Sequence, residues 1–402
     1  MPTPDEAWRK MAAHCRPLTP VLRPLDQALG HVLAQPVCAD RDLPATDRSA
    51  MDGFAFRAMD ALGGRGLVIV GEVPAGVAFA GAIGPGECVR IFTGASLPTG
   101  VDAVALIEDV TLLPNGRVQM PGLPSGANVL RRGEDANAGK ILLPAGVPLN
   151  AARLAVAAAV GAAQVLVHRR PRVAVVTTGR ELLAPNQSPA PHQIRDSNST
   201  LLAAALAAED FPLAATLRAS DEREAVTHQL REALSLADVV VLSGGVSVGD
   251  YDFVLAAVRA VDAQVLVHKV AMKPGKPMLF ATHGTDRFIF GLPGHPLATL
   301  TGLHEFVLPA LRRLAGSSEE DCRPLWTVPL GRALQSKGGR HRYHLAQLHW
   351  ASYGPRVEPV PSHSSADLVA GGRAHGAIVV PPDVQTLETG ALVSFRPWRG
   401  LA

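Results

Sequence analysis

The sequence predicts an α/β protein with additional β-rich domains, on three observations. From Arg172 to Leu314, short apolar runs alternate with longer helical patterns, which implies a largely parallel sheet with helices on both faces. In residues 40–145, and again beyond Ser317, the runs are short and lie between glycines and prolines, as in small β units. Hydrophobic residues make up 47% of the 402 positions, enough for two to four separately packed cores.

In chain order, residues 17–37 read as a helix. Thr19 precedes an apolar pattern at Val21, Leu22, Leu25, Leu29, Val32 and Leu33 that ends near Pro36. Strands are expected at Leu67–Val70, Cys88–Phe92, Ala103–Ile107, Val118–Met120 and Ile141–Leu143. Leu149 to Val167 is the longest apolar stretch, but it carries Asn150, Arg153 and Gln164 and is mostly alanine. It reads as a helix capped by Asn150 and stopped at Gly161, followed by a strand, and not as a membrane span. His168-Arg169-Arg170-Pro171 reads as a linker. Beyond it come a strand at Val173–Thr177, helices at Leu201–Ala208 and Asp221–Leu236, and a strand at Val239–Leu242. A helix at Phe253–Val261, strands at Val265–Val267 and Phe288–Gly291, and a helix at Leu297–Leu314 complete the α/β stretch. Trp326–Pro329, Tyr343–Leu348 and Ala377–Val380 are strands of a C-terminal β unit.

Charge and cysteine content exclude several functions. Thirty-eight basic and 36 acidic residues interleave to a net charge of +2, without the clustered basic footprint of a nucleic-acid binder. Cys15, Cys38, Cys88 and Cys322 are far apart and form no Cys-x-x-Cys pair, so free thiols in a reducing compartment fit better than a disulfide scaffold or zinc site. The start Met1-Pro2-Thr3-Pro4-Asp5-Glu6 lacks the regions of a signal peptide, and a cytoplasmic location is expected.

The chemistry concentrates in residues 243–276. The buried run ending at Leu242 breaks into Ser243-Gly244-Gly245-Val246-Ser247-Val248-Gly249-Asp250-Tyr251-Asp252. A glycine-rich loop after a strand presents backbone N–H groups to an anion, and a carboxylate beside it suits a hard cation such as Mg2+. Lys269, Lys273 and Lys276 then supply positive charge. Two more polar loops belong to the same sheet edge: Thr177-Thr178-Gly179-Arg180-Glu181-Leu182, and Gln193-Ile194-Arg195-Asp196-Ser197-Asn198, where Asp196, Ser197 or Asn198 equally suits a helix N-cap. Asp52-Gly53, Arg90–Ala95 and Arg131–Asp135 each read alone as turns or strand ends. No Ser-His-Asp or Cys-His order is present.

As an ordered set, Asp47–Ala55, Arg90–Ala95, Arg131–Asp135, Thr177–Leu182, Gln193–Asn198, Ser243–Asp252, Lys269–Pro277 and Gly291–Pro296 resemble the molybdopterin molybdenumtransferase family, the bacterial MoeA proteins and the gephyrin E domain. The resemblance implies an elongated, four-domain subunit that forms a homodimer. Its domains would be a helical, extended linker domain (1–45 with 146–170), a small β-rich domain (46–145), a three-layer α/β molybdopterin-binding domain (171–316) and a C-terminal, barrel-like β domain (317–402). It implies insertion of molybdate into adenylylated molybdopterin with Mg2+-assisted release of AMP, and transient contact with the adenylyltransferase and with enzymes that accept the cofactor. Catalytic roles carry over to Asp52, Thr93, Asp135, Asp221, Lys269 and Lys273. Substrate binding carries over to Ser243, Gly244, Gly245, Ser247, Asp196, Asn198, Lys276 and Ser365, and metal binding to Glu181 and Asp252. The chain departs from the family at Arg180, where an acid is usual, at His192 for glycine, and at His295-Pro296-Leu297-Ala298 for Asn-Pro-Val-Ser. Two rival readings are a non-catalytic molybdopterin-binding scaffold and the competence-damage-inducible, nicotinamide-nucleotide-processing family. The latter lacks the Ser49-Ala50-Met51-Asp52-Gly53 segment and the small β domain.

Overall fold

The computed structural model describes residues 1–246, 253–352 and 354–398. Ser247 and Asp252 lie outside the described residues. A six-stranded sheet runs in the order Leu213–Ala219, Val173–Thr178, Val239–Ser243, Arg287–Leu292, Leu279–His283, Gln264–His268. The first four strands are parallel, and the last two pair antiparallel. Val173–Thr178 and Val239–Ser243 are buried at every residue, as strands covered on both faces must be. Helices Arg223–Leu236 and Phe253–Ala260 cover one face through Val226, Leu230, Val254 and Val258. Ser197–Ala208, Pro4–His14 and the helical run 296–314 cover the other through Leu202, Trp8, Met11 and Phe306. The alternation read from Arg172 onward is therefore present. The strand Leu213–Ala219 escaped that reading because it is an alanine-rich edge strand, half exposed along its length; Leu279–His283 was not read either.

Residues 17–37 are not a helix. Pro20–Pro24 is a strand paired antiparallel with Gln164–His168, and Leu25–Gln27 is a single 3-10 turn. Pro20 and Pro24 lack the N–H groups a helix needs, and Gly30 sits at φ +72°, so the apolar spacing serves a strand and turns instead. The first helix is Pro4–His14. Thr3 accepts from the Glu6 N–H while the Glu6 carboxylate accepts from the Thr3 N–H, a capping box written in the sequence as Thr-x-x-Glu. Asn150 caps Ala151–Ala159 as expected. The run 296–314 is helical throughout but widens into a π-helical turn at Leu303–Val307. Pro309 has no N–H for the carbonyl four residues back, and the wider turn absorbs that break.

Within residues 40–145, Val68–Val73, Glu87–Ile91, Gly53–Phe56 and Ala103–Leu106 form a four-stranded sheet. Phe54 and Phe56 enter one apolar cluster and Ala55 the other, the period-two alternation of a strand. A Cβ on Gly53 would lie 1.8 Å from the Ala105 carbonyl oxygen, so glycine is required there for close strand approach. Ile141–Leu143 pairs with Val37–Cys38 and shares a cluster with Leu33, Leu149 and Val167.

The C-terminal sheet runs Met272–Lys273, His341–Ala351, Gly376–Val380, Leu392–Pro397, Trp326–Pro329, with Gly354–Pro359 on the long strand. Its first strand is borrowed from the α/β unit: Met272 and Lys273 pair parallel with His341 and Arg342. A buried ion cluster closes the same junction. The Glu305 carboxylate, 1% exposed, accepts from Arg396 Nε at 3.0 Å and from Arg323. Arg323 also donates to Asp5 at 2.7 Å and lies over the Trp8 ring. Arg396 donates to the carbonyls of Arg323 and Pro324 at 2.6 and 2.7 Å. Among the described residues, no helix is long and apolar enough to cross a membrane. Cys15, Cys88 and Cys322 are buried, Cys38 is exposed, and all four are free.

Removing the shared carboxylate leaves two guanidinium groups buried beside each other. We expect Glu305→Ala to destabilise the protein by about 3–5 kcal/mol, read from the urea midpoint of tryptophan fluorescence. An unchanged midpoint would show that the arginines find other partners.

Candidate active site

The polar loops meet at the carboxyl edge of the central sheet. Val239–Ser243 ends in Gly244 and Gly245, at φ +98° and +62°. A Cβ on Gly244 would lie 2.5 Å from the Thr178 carbonyl oxygen and 2.7 Å from its hydroxyl, so only glycine allows the two strand ends to approach. Asn198 joins three loops: its amide nitrogen donates to Ser243 Oγ at 2.9 Å and to the Gly294 carbonyl at 2.8 Å. Asp196 caps the Ser197–Ala208 helix through the Ser199 N–H at 3.0 Å, and its other oxygen accepts from the Thr177 hydroxyl at 2.9 Å. Capping and loop support are thus both present in Asp196. Asn198 Oδ1 and Thr178 Oγ1 are buried with no hydrogen-bond partner among the described residues. Two orphan polar atoms at one loop junction match a site that a polar ligand completes.

Asp221 accepts from the Arg180 N–H at 3.1 Å and so fixes the turn after Gly179. The Arg180 guanidinium pairs with Glu222 at 3.4 Å, both exposed, and so has a partner other than Glu181. Glu181 is exposed at the head of a short ribbon in which Leu182–Leu183 pairs with Ile194–Arg195. No group of three or more His, Cys, Asp or Glu side chains among the described residues could hold a metal. Glu181 offers one exposed carboxylate, which suits an ion such as Mg2+ that draws its remaining ligands from water and substrate oxygens.

Lys273 and Ser365 line one cleft. It has a volume of about 500 Å3 and lies where the borrowed strand meets the C-terminal sheet. Lys337 and Arg342 add positive charge from the C-terminal side, Ser362 and Ser364 add hydroxyls, and its lining contains no carboxylate. Burial first, then the Arg342 charge, push the His344 imidazole below its usual pKa, so it faces the cleft as a neutral ring. Ser365 is pinned twice: its carbonyl accepts from the Leu297 N–H at 3.0 Å, and its hydroxyl pairs with His295 Nδ1 at 2.7 Å. Lys269 has φ +68° and its N–H donates to the Met278 carbonyl, while Lys276 supplies a carbonyl to Val270; both are half-buried in the loop that presents Lys273. An acid-free cleft with three cations is chemically an anion site. Lys337 and Arg342 were missed in the sequence, although Lys337-Gly338-Gly339-Arg340-His341-Arg342 is a basic run at a strand start. A second concavity of similar size, lined by Met1, Pro2, Glu6, Arg9 and Lys10, holds none of these residues.

The small β unit contributes a separate group. Asp52 Oδ1 accepts from both the N–H and the hydroxyl of Thr93, each at 2.7 Å. Asp135 is exposed in a loop whose N–H donates to the Leu43 carbonyl, held in place by Arg131–Asp47 and Arg132–Asp42 pairs at 2.9 and 2.6 Å. Among the described residues, no hydrogen bond or ion pair joins Asp52, Thr93 or Asp135 to the Lys273 cleft.

The fold and loops define an α/β protein whose polar loops gather at the carboxyl edge of its sheet, where such sheets place their ligand sites. The family model for the MoeA N-terminal region (domain I and II) matches residues 3–161, that described as "Probable molybdopterin binding domain" matches 174–313, and that for the MoeA C-terminal region (domain IV) matches 327–398. A molybdopterin molybdenumtransferase of Nostoc is 36% identical over 364 residues, covering 88% of this chain and 83% of that protein. One of Staphylococcus aureus is 31% identical over 376 residues, covering 92% and 89%. The solved molybdopterin biosynthesis MoeA protein of Pyrococcus horikoshii matches with a TM-score of 0.83 at 29% identity, over 99% of both chains. The chain belongs to the molybdopterin molybdenumtransferase family, transferases of molybdenum cofactor biosynthesis.

The two hydrogen bonds from Thr93, led by its N–H, hold the Asp52 carboxyl below its ordinary pKa of 3.8. We expect NMR titration to place Asp52 below that value in the native protein, and Thr93→Val, which removes the hydroxyl, to move it back upward. An Asp52 that titrates normally in both proteins would show that the pair does not persist in solution.

Proposed function

We propose that the chain inserts molybdate into adenylylated molybdopterin and releases AMP, using the cleft of Lys273, Lys337, Arg342 and Ser365 for the oxyanion. The observation that carries this is the gathering of three cations and no acid beside a glycine-rich sheet edge with orphan polar atoms. The pterin's phosphates and the anhydride to AMP would lie against the N–H groups of Gly244 and Gly245 and the polar atoms of Thr178, Asn198 and Ser243. Lys269, Lys273 and Lys276 offset charge that grows on the phosphate oxygens as the anhydride breaks. Bound Mg2+ would neutralise phosphate charge and polarise the bond to be cleaved, and Glu181 and Asp252 are the side chains to hold it. Asp221 keeps the Gly179–Arg180 turn in shape for Glu181.

The subunit we infer is elongated, with the division 1–45 with 146–170, 46–145, 171–316 and 317–402, the last barrel-like, and it acts as a cytoplasmic homodimer. Asp52, Thr93 and Asp135 of one subunit face the sheet edge and Lys273 of the other. This is supported by the need to surround one small anion from several sides. The adenylyltransferase upstream and cofactor-accepting enzymes downstream would be transient partners. A scaffold without turnover is the alternative that the assay below separates.

Purified protein given adenylylated molybdopterin, molybdate and Mg2+ should release AMP. Lys273→Ala should fold normally and lose about 1.5–3 kcal/mol of substrate binding, the worth of one charge-assisted contact. No AMP from wild-type protein would favour the scaffold, and normal binding by the variant would remove Lys273 from the site. For the shared cleft, Asp52→Ala and Lys273→Ala homodimers should each be inactive and regain activity after subunit exchange, since a heterodimer carries both lesions in one cleft and leaves the other intact. Exchange proved by mass without recovered activity would place each site within one subunit.

A further inference from the structure

His295 precedes the helix that starts at Pro296, and its side chain reaches across the junction between the α/β unit and the C-terminal unit. Nδ1 lies 2.7 Å from Ser365 Oγ, a hydroxyl that lines the cationic cleft. A serine hydroxyl has one hydrogen. If Nδ1 is bare, that hydrogen is spent on the imidazole and the cleft meets only oxygen lone pairs. If Nδ1 carries a proton, Ser365 accepts from it, and the hydroxyl hydrogen turns toward whatever occupies the cleft. Among Lys273, Lys337 and Arg342, the natural occupant is an oxyanion, which needs donors and repels lone pairs. The Ser365 backbone is already fixed by the Leu297 N–H at 3.0 Å, so the one degree of freedom left to His295 is the direction of that hydroxyl.

Resting on the cleft assignment above, we propose that His295 is a positioning residue: its Nδ1–H holds Ser365 so that the serine hydroxyl donates to molybdate. Asparagine carries its amide nitrogen on Cγ, the same carbon that bears Nδ1 in histidine, so both residues can place a donor at this point. His295→Asn is therefore the conservative variant that keeps the donor.

Molybdate binding to the full-length protein, measured by calorimetry without the pterin substrate, tests this with wild type and five variants. Relative to wild type, Lys273→Ala and Ser365→Ala should each weaken binding about tenfold or more, the loss of one charge-assisted hydrogen bond. His295→Ala should match Ser365→Ala, His295→Asn should bind like wild type, and His295→Ala combined with Ser365→Ala should be no weaker than Ser365→Ala alone. Wild-type binding that neither Lys273→Ala nor Ser365→Ala weakens would overturn the cleft assignment and this proposal with it. A loss in Lys273→Ala but not in Ser365→Ala, or in Ser365→Ala but not in His295→Ala, would leave the cleft standing and overturn the role of His295. Additive losses in the double variant would do so too, because His295 would then act on the anion directly or by holding the whole 363–367 loop.

Discussion

The Glu305 carboxylate is the constraint on which the arrangement depends. It sits in a π-helical turn of the α/β unit, and its two partners are Arg323, on the way into the C-terminal sheet, and Arg396, in that sheet's penultimate segment. Through Asp5 and Trp8, Arg323 adds the first helix to the same point. Burial pushes both guanidinium groups down in pKa, and it pushes the neighbouring Tyr343 phenol up. Such a cluster adds little net stability over an apolar plug of equal shape, because desolvating the charges costs about what their attraction returns. Its effect is positional. A C-terminal unit docked in any other register would leave a charge buried and unpaired, which is costly, so one register is selected.

That register brings Arg342 beside Lys273. The strand Met272–Lys273 completes the C-terminal sheet in parallel with His341–Arg342, so a loop of one unit becomes an edge of the other. Lys273 is thereby held on a strand while Lys337 and Arg342 approach from the facing loop. Arg342 also donates to the Lys337 carbonyl, which ties two of the three cations together in spite of their repulsion. Collecting like charges without an internal counter-ion is unfavourable until an anion enters, and binding that anion relieves it. The ion cluster and the cleft are thus two ends of one junction: one excludes water and fixes the geometry, and the other uses that geometry where water and ligand reach it.

Much of the fold was legible because local pattern and tertiary burial agree. Val173–Thr178 and Val239–Ser243 are runs rich in β-branched residues, and every residue of them is buried. The Asn150 cap and the glycine at 161 bound a helix just as their chemistry suggests. Residues 17–37 misled because an apolar spacing of three and four was weighed above Pro20 and Pro24, whose missing donors exclude the helix however good the spacing. The capping box at Thr3 and Glu6 was present but read only as the absence of a leader. In the site, the residues within single loops were readable: Asp52 with its glycine, the Ser243–Gly245 turn, the Asp196–Asn198 segment. The contacts that cross between units were not. Nothing near Ser365 in the chain announces a histidine 70 positions earlier, and Arg342 looks like an ordinary surface cation until the borrowed strand sets it against Lys273.

Three of the positions that depart from the resemblance, His295, Leu297 and Ala298, lie at the start of one helix, where the hydrogen bonding keeps the loops tied together. Ala298 has no hydroxyl where the resemblance implies a serine, but Thr299 next to it donates to the Pro293 carbonyl at 2.6 Å and lies 3.4 Å from Ser243 Oγ. The polar link between this helix and the glycine-rich strand end is therefore kept by a neighbouring side chain. His295 likewise keeps a nitrogen where an asparagine amide would stand and reaches Ser365 with it. Gly294 remains glycine, and its carbonyl accepts from Asn198, so the third loop stays fastened to the sheet edge. The start of this helix is thus tied to Ser243, Asn198 and Ser365. Asn198 carries one of the orphan polar atoms and Ser365 lines the cationic cleft, so this helix start is bonded to both.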